Sequence, residues 1–257
     1  MNRLPSLTAD IALLAVVMTL PQGRAQDPRQ IITELQTRSR VESQQYKGVL
    51  KVIDGSNRVT EKGWTYARIG SHGQSKVVIR FTTPAEVKGV ALLVLNYPDR
   101  ASDQWMWTPA INRERRVATQ DRRARFFGTD FSFEDLEERD VEQYDYEMRG
   151  EETLEGEACW KIAATPRAGK RSQYTRSIYW IRKSTYTYAQ IENFEGDTLV
   201  RRLKYRDLAN IQKVWTAKII EVEDLTRKSR TVLTIDAIIY NAPLSDNEFT
   251  VQALRRG

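Results

Sequence analysis

Glu157-Ala158-Cys159-Trp160-Lys161-Ile162-Ala163-Ala164-Thr165 sets Ala158, Trp160, Ile162 and Ala164 on one side of a two-residue alternation and Glu157, Cys159, Lys161 and Thr165 on the other. Successive side chains of a strand point to opposite faces, so this period reads as a strand with one buried face. The same pattern recurs on both sides of the stretch. Val77, Ile79 and Phe81 alternate with Lys76, Val78 and Arg80; Trp215, Ala217 and Ile219 alternate with Thr216 and Lys218; Leu233, Ile235, Ala237 and Ile239 close the series. Between such runs stand Asp54-Gly55-Ser56-Asn57, Glu155-Gly156 and Glu195-Gly196-Asp197, which supply the residues that hairpin turns need. Sequential strands should therefore pair antiparallel. About eleven strands are expected, and an antiparallel sheet that large must curl because each strand twists against its neighbour. The expected fold is mainly β: a half-open, strongly curved antiparallel barrel with helical pieces on its concave side.

Two segments are available to plug such a barrel. Asp27-Pro28 stands as an N-cap and a first-turn proline, and Ile31, Ile32 and Leu35 mark one face of a short N-terminal helix. Residues 131–140 can be capped by Asp130 or Ser132 and carry Glu134, Asp135, Glu137 and Glu138. Acidic residues in a first turn favour a helix, so this segment is expected to form a short lid helix.

The chain opens with Met1-Asn2-Arg3, an apolar block from Ile11 to Leu20, and Gly23-Arg24-Ala25. That layout predicts a secretory signal peptide over residues 1–25 and a single domain over 26–257. The apolar block is too short for a spanning anchor, and no cysteine follows it to take a lipid. A soluble periplasmic protein, monomeric, is expected. Cys159 is the only cysteine in the sequence, which excludes an intramolecular disulfide; within its strand it reads as a small core side chain. The formal net charge of +6 suits an anionic membrane surface or an acidic protein, and export leaves nucleic acid as the least accessible partner.

The most distinctive stretch is Pro84-Ala85-Glu86-Val87-Lys88-Gly89, followed by Trp105-Met106-Trp107-Thr108-Pro109, a cluster of arginines, and Phe126-Phe127-Gly128-Thr129-Asp130-Phe131-Ser132-Phe133-Glu134-Asp135-Leu136. In this order the pieces resemble the outer-membrane lipoprotein-sorting family, the LolA-like proteins. The resemblance spans nearly all of the chain beyond residue 25 and is sharpest between Phe81 and Leu136. It implies an open barrel covered by helices, whose apolar interior holds the acyl chains of lipoproteins or other lipids in transit. It also implies an inner-membrane transporter that loads the carrier and an outer-membrane acceptor that unloads it. The functional positions of the carrier itself do not align residue by residue, so none is assigned from it.

The large aromatic side chains are the candidates for a cavity wall: Trp64, Tyr66, Phe81, Trp105, Trp107, Phe126, Phe131, Trp160 and Trp215. Each would serve equally well in a solid core, because wall and core look alike in sequence. Arg113, Arg115, Arg116, Arg122, Arg123 and Arg125 admit three readings. They could form a basic docking rim, a solvated hairpin face, or a clasp that pairs with the acidic segment and pins the lid shut. His72, the single histidine, lies between Ser71 and Gly73 in an expected hairpin loop, so catalytic Ser-His or Cys-His chemistry would depend on it alone. The histidine and cysteine clusters of a zinc site and a phosphate-binding glycine loop are both missing from the sequence. The reading is a non-enzymatic carrier without a cofactor. A lipid-sensing regulatory protein is the alternative, and a lipid hydrolase ranks last.

Overall fold

In the computed structural model, residues 26–98 and 100–256 are described. The signal-peptide reading falls on residues 1–25 and lies outside them. Helix α1 (Pro28–Arg38) starts where the sequence predicts: the Asp27 side chain accepts from Arg29 N at 2.9 Å, and Ile31, Ile32 and Leu35 are buried. Six strands follow: β1 (Ser43–Ile53), β2 (Val59–Ser71), β3 (Gln74–Phe81), β4 (Ala91–Asn96), β5 (Asp103–Thr108) and β6 (Arg113–Arg116). A crossover of residues 117–143 leads to the other seven. These are β7 (Tyr144–Leu154), β8 (Glu157–Pro166), β9 (Arg176–Arg182), β10 (Tyr188–Glu195), β11 (Thr198–Ile211), β12 (Val214–Asp224) and β13 (Ser229–Tyr240).

All thirteen strands join one antiparallel sheet in the order β6-β5-β4-β3-β2-β1-β13-β12-β11-β10-β9-β8-β7. It is two meanders sewn together at β1 and β13, with β6 and β7 as its free edges. The expected half-open barrel is therefore the observed one, with two strands more than the alternation suggested. The extra strands are short or polar, such as Arg113–Arg116, which has no apolar face to mark it. The three quoted turns fall where expected, at β1–β2, β7–β8 and β10–β11.

The sheet has an inner and an outer core. The inner one gathers Ile31, Ile32 and Leu35 of α1, the crossover's Val117, Phe126, Phe131, Phe133 and Val141, and inward side chains from Leu50 round to Ile235. The outer one is smaller: the C-terminal segment lays Phe249 and Leu254 over Ala91, Leu93 and Trp107. Lys76 holds Asp246 at 2.6 Å and Arg80 donates to the Leu254 carbonyl at 3.0 Å, so the polar face of β3 anchors this segment.

The lid segment departs from expectation. Only Glu134–Leu136 form a single 3₁₀ turn, and the chain runs extended from Glu137. Ser132 and Asp135 hydrogen-bond each other within the turn, a local alternative to helix, and the acidic side chains are taken up by distant partners.

Candidate functional site

The inner face is floored with aromatic rings of two kinds. Beside β2–β5 the crossover supplies phenylalanines: Phe81 stacks on Phe126 at 5.2 Å, and Phe126 meets Phe133 edge-on at 5.7 Å. These rings fill the concavity there. Beside β1 and β9–β13 the floor is tyrosine: Tyr46 stacks on Tyr66 at 5.0 Å, Tyr179 meets Tyr188 at 5.4 Å, and Tyr188 meets Tyr205 at 5.7 Å. Burial raises the hydroxyl pKa of Tyr46, Tyr66 and Tyr188, and pushes Tyr205 up to about 12. These hydroxyls stay protonated at any ordinary pH, and the charge among them is that of Arg139, whose guanidinium donates to the Tyr179 hydroxyl at 3.2 Å.

A pocket of about 240 Å³ opens on the tyrosine side. Tyr46, Tyr205, Ile220 and Ile235 form its apolar lining, and Trp215 stands at its mouth with 43% of its surface exposed. Arg68, His72 and Ser39 supply its polar corner. A second, wider hollow of about 530 Å³ lies between the β4–β5 loop, the crossover and the β8–β9 loop. Charged groups line that one, among them Arg122, Glu137, Glu138, Arg167 and Lys170, so it suits polar matter and not hydrocarbon.

The crossover separates the two hollows and is tied down carboxylate by carboxylate. Asp130 is fully buried and accepts from Arg125 at 2.8 Å, Ser229 at 2.6 Å and Thr231 at 2.7 Å. Asp135 accepts from Arg201 at 2.7 Å, Tyr174 at 2.8 Å, and both the amide and hydroxyl of Ser132 at 2.8 Å. Glu137 pairs with Arg122 at 3.0 Å, and burial raises its pKa against the pull of that arginine. Glu138 pairs with Arg68 at 2.5 Å. Helix α1 is fastened to the same strap through Gln36, which donates to the Arg139 carbonyl at 2.6 Å, and through the Arg29–Glu142 ion pair.

The sequence candidates divide accordingly. Trp64, Tyr66, Phe81, Phe126, Phe131 and Trp160 do lie on the inner side, most of them packed into the solid part of the core, and Trp160 meets Tyr186 at 4.9 Å. Trp215 is at the pocket mouth. Trp105 and Trp107 share a face as expected, but it is the outer one, under Phe249 and Leu254, so they are not cavity residues. The period of two shows which residues share a face and cannot say which face is concave. On β12 the inward residues are Thr216, Ile220 and Val222 rather than Ala217 and Ile219. On β13 a bulge at Asp236 reverses the phase, so that Leu233 and Ile235 point in while Ile239 points out.

The arginines also divide. Arg122 clasps the lid segment, Arg125 holds Asp130, and Arg116 pairs with Asp103. Arg113, Arg115 and Arg123 are exposed. The other lid clasps, Arg68 and Arg201, come from β2 and β11, outside the cluster. No local signal marked them, because an isolated arginine in an alternating strand reads as solvent-facing. Tyr46, Tyr205 and Tyr240 were missed for a similar reason: tyrosine fits either face of a strand. His72 sits in the β2–β3 turn with Nε2 3.2 Å from Ser39 Oγ. Cys159 is buried on the outer face against Trp180 and Ala189, where burial raises its thiol pKa.

Comparison with known proteins bears on this arrangement. A family model described as that of an uncharacterized protein matches residues 73–256. The chain belongs to that family. A search of curated proteins found no match. Among solved structures, a DUF1329 family protein from Desulfovibrio piger superposes with a TM-score of 0.85 at 28% identity, covering 89% of this chain and all of the other. An outer membrane lipoprotein-sorting protein domain from Vibrio parahaemolyticus gives 0.84 at 21% identity, over 89% of this chain and 98% of its own. A LolA superfamily protein from Nitrosomonas europaea gives 0.70 at 18%, over 89% and 100%. The resemblance read from residues 81–136 is borne out, and the fold is that of the LolA-like half barrel. Among the described residues no helix is long and apolar enough to cross a membrane.

Proposed function

We infer that this protein is a periplasmic binding protein for acyl chains, taking the hydrocarbon of a lipoprotein or other lipid against the tyrosine-lined side of its inner face and ferrying it between envelope membranes. The observation that carries the reading is the mainly apolar pocket of Tyr46, Tyr205, Ile220 and Ile235, with Arg68 at one corner, beside a crossover whose acidic stretch is tied to the sheet by ion pairs at Arg68 and Arg201. Its volume of about 240 Å³ falls short of the roughly 300–1,000 Å³ of small-molecule sites, which fits a resting state that must widen to load. Burying each methylene is worth about 0.8 kcal/mol, so a long acyl chain gains on the order of ten kcal/mol before costs. Widening the barrel and parting the crossover oppose that gain, and a carrier that must release its cargo needs such an opposing contribution.

On this reading residues 1–25 direct export and are removed, an inner-membrane transporter loads the protein, and an outer-membrane acceptor receives the cargo. The exposed arginines of the β6 edge, Arg113 and Arg115, together with Arg123, would face an anionic membrane. The protein binds and does not catalyse. Delipidated protein titrated with a fluorescent long-chain acyl probe should bind saturably, and unlabelled acyl chains should compete. A probe that never enters, at any concentration below its own aggregation, would refute the carrier.

A further inference from the structure

The sheet is continuous in its order of strands but not along the full length of every seam. β12 pairs with β11 from Asp224 back to Val214, and β13 pairs with β1 as far as Tyr240. Yet β12 and β13 pair with each other only over 219–224 against 229–234. Residues 214–218 and 235–240 each keep one neighbour and diverge from the other.

The cause is local. β13 carries a bulge at Asp236, where the partners of Lys47 and Gly48 jump from Ala237 to Ile235. At that level Gly48 lets β13 lie so close to β1 that a Cβ would stand 1.8 Å from the Thr234 carbonyl oxygen. On β11, Asp207 has φ 53° between the Arg206–Ile219 and Leu208–Ala217 pairs, but the register is kept there, Asp207 and Lys218 lying opposite each other. Bulges bend and twist the strand that contains them. The one at Asp236 draws β13 toward β1, while β12 keeps its regular pairing with β11, and the two strands part.

The resulting split opens directly onto the apolar pocket. Its lips are apolar: Trp215 on one strand, and Ile239 on the other with 53% of its surface exposed. What spans the split is side chain and not ladder. The Thr216 and Tyr240 hydroxyls are 2.5 Å apart, and Tyr240 N donates to the Gln212 side chain at 2.8 Å. Such bridges part by rotation about side-chain bonds, whereas a ladder parts only by moving strands.

We propose that the split between β12 and β13 is a lateral portal through which one hydrocarbon chain passes to the inner face while its polar headgroup stays outside beside Trp215. The proposal rests on the acyl-binding reading and adds to it the route and the orientation of the ligand. An apolar occupant is favoured over a peptide strand because the lips and most of the wall behind them are apolar, and because Tyr240 N, one of the ladder groups along the split, is already engaged by Gln212.

The test is photo-crosslinking of the delipidated protein with two phospholipid probes, one with its diazirine next to the headgroup and one with it at the acyl terminus. The first should label peptides containing Trp215 or Ile239, and the second those containing Tyr205 or Ile220. Headgroup-proximal labelling confined to α1 or the crossover would overturn the portal and leave the carrier standing. No labelling by either probe would remove both. Thr216→Val, which deletes one bridging hydroxyl, should speed stopped-flow uptake of a fluorescent acyl probe about three- to tenfold with less effect on equilibrium affinity. An unchanged uptake rate would count against the portal. Protection of the 214–218 amides by an added extended peptide, with acyl probes leaving them unprotected, would overturn it in favour of a strand partner.

Discussion

Asp135→Ala removes the carboxylate that holds the crossover to β11. In the native protein this side chain is 1% exposed and accepts from Arg201, Tyr174 and two groups of Ser132, so it is fully engaged. Its loss leaves the Arg201 guanidinium buried with only Asp224, 3.9 Å away, as a remaining counter-charge. Breaking one partner out of a buried ion pair costs about 3–5 kcal/mol, because the surviving charge has lost its compensation. For a domain whose total stability is on the order of 5–15 kcal/mol, that is a large fraction. Urea unfolding followed by tryptophan fluorescence should show the midpoint falling at constant slope. Replacing both partners, as Asp135→Leu with Arg201→Met, should recover most of the loss, since well-packed apolar substitutes for a buried pair are often neutral or better. A single Asp135→Ala variant within about 1 kcal/mol of the native protein would refute the claim that these carboxylates pin the crossover. A double variant no better than the single one would mean that packing, and not the uncompensated charge, carries the effect.

Three further outcomes follow from the same structure. His72 has its pKa lowered by burial, against the pull of Glu138 and Asp140 and with the help of Arg68 and Arg40. Its folded pKa therefore lies below the unfolded value of about 6.5, so the unfolded chain takes the proton first and stability is lost as pH falls from about 7 through the folded pKa. His72→Asn should flatten that stretch of a pH–stability curve; Glu137, raised by burial, works with the opposite sign and is common to both proteins. Trp107→Ala should destabilise by about 3–5 kcal/mol through the outer core, yet leave acyl-probe affinity within about twofold, since Phe249 and Leu254 cover it away from the pocket. A loss of probe binding without loss of stability would return Trp107 to the cavity. Arg113→Glu, Arg115→Glu and Arg123→Glu together should weaken sedimentation with anionic vesicles by about a hundredfold or more at low salt, at about 1 kcal/mol per basic side chain, and leave neutral vesicles unaffected. Equal effects on both vesicle types would discard the basic edge as a docking surface.

The sequence by itself determined the kind of secondary structure and its pairing. Alternation at 157–165 and 76–81, with glycine-bearing turns between runs, requires antiparallel meanders. Asp27-Pro28 with Ile31, Ile32 and Leu35 requires the N-terminal helix, because all of these are interactions between residues near in the chain. The family pattern between Phe81 and Leu136 pointed to a half barrel. Only the tertiary structure decided which face of each strand is inner, since a period of two is symmetric and the curl that breaks the symmetry belongs to the whole sheet. It placed Trp105 and Trp107 outside, and the bulge at Asp236 turned Ile239 outward by adding one residue to the count. It made the acidic 131–140 segment a strap and not a helix, because its carboxylates gain more from Arg68, Arg122 and Arg201 than from a helix dipole. The split between β12 and β13 has no signature in either strand alone. It arises where the bulge at Asp236 draws β13 toward β1 while β12 stays paired with β11, a divergence that exists only once the sheet has formed.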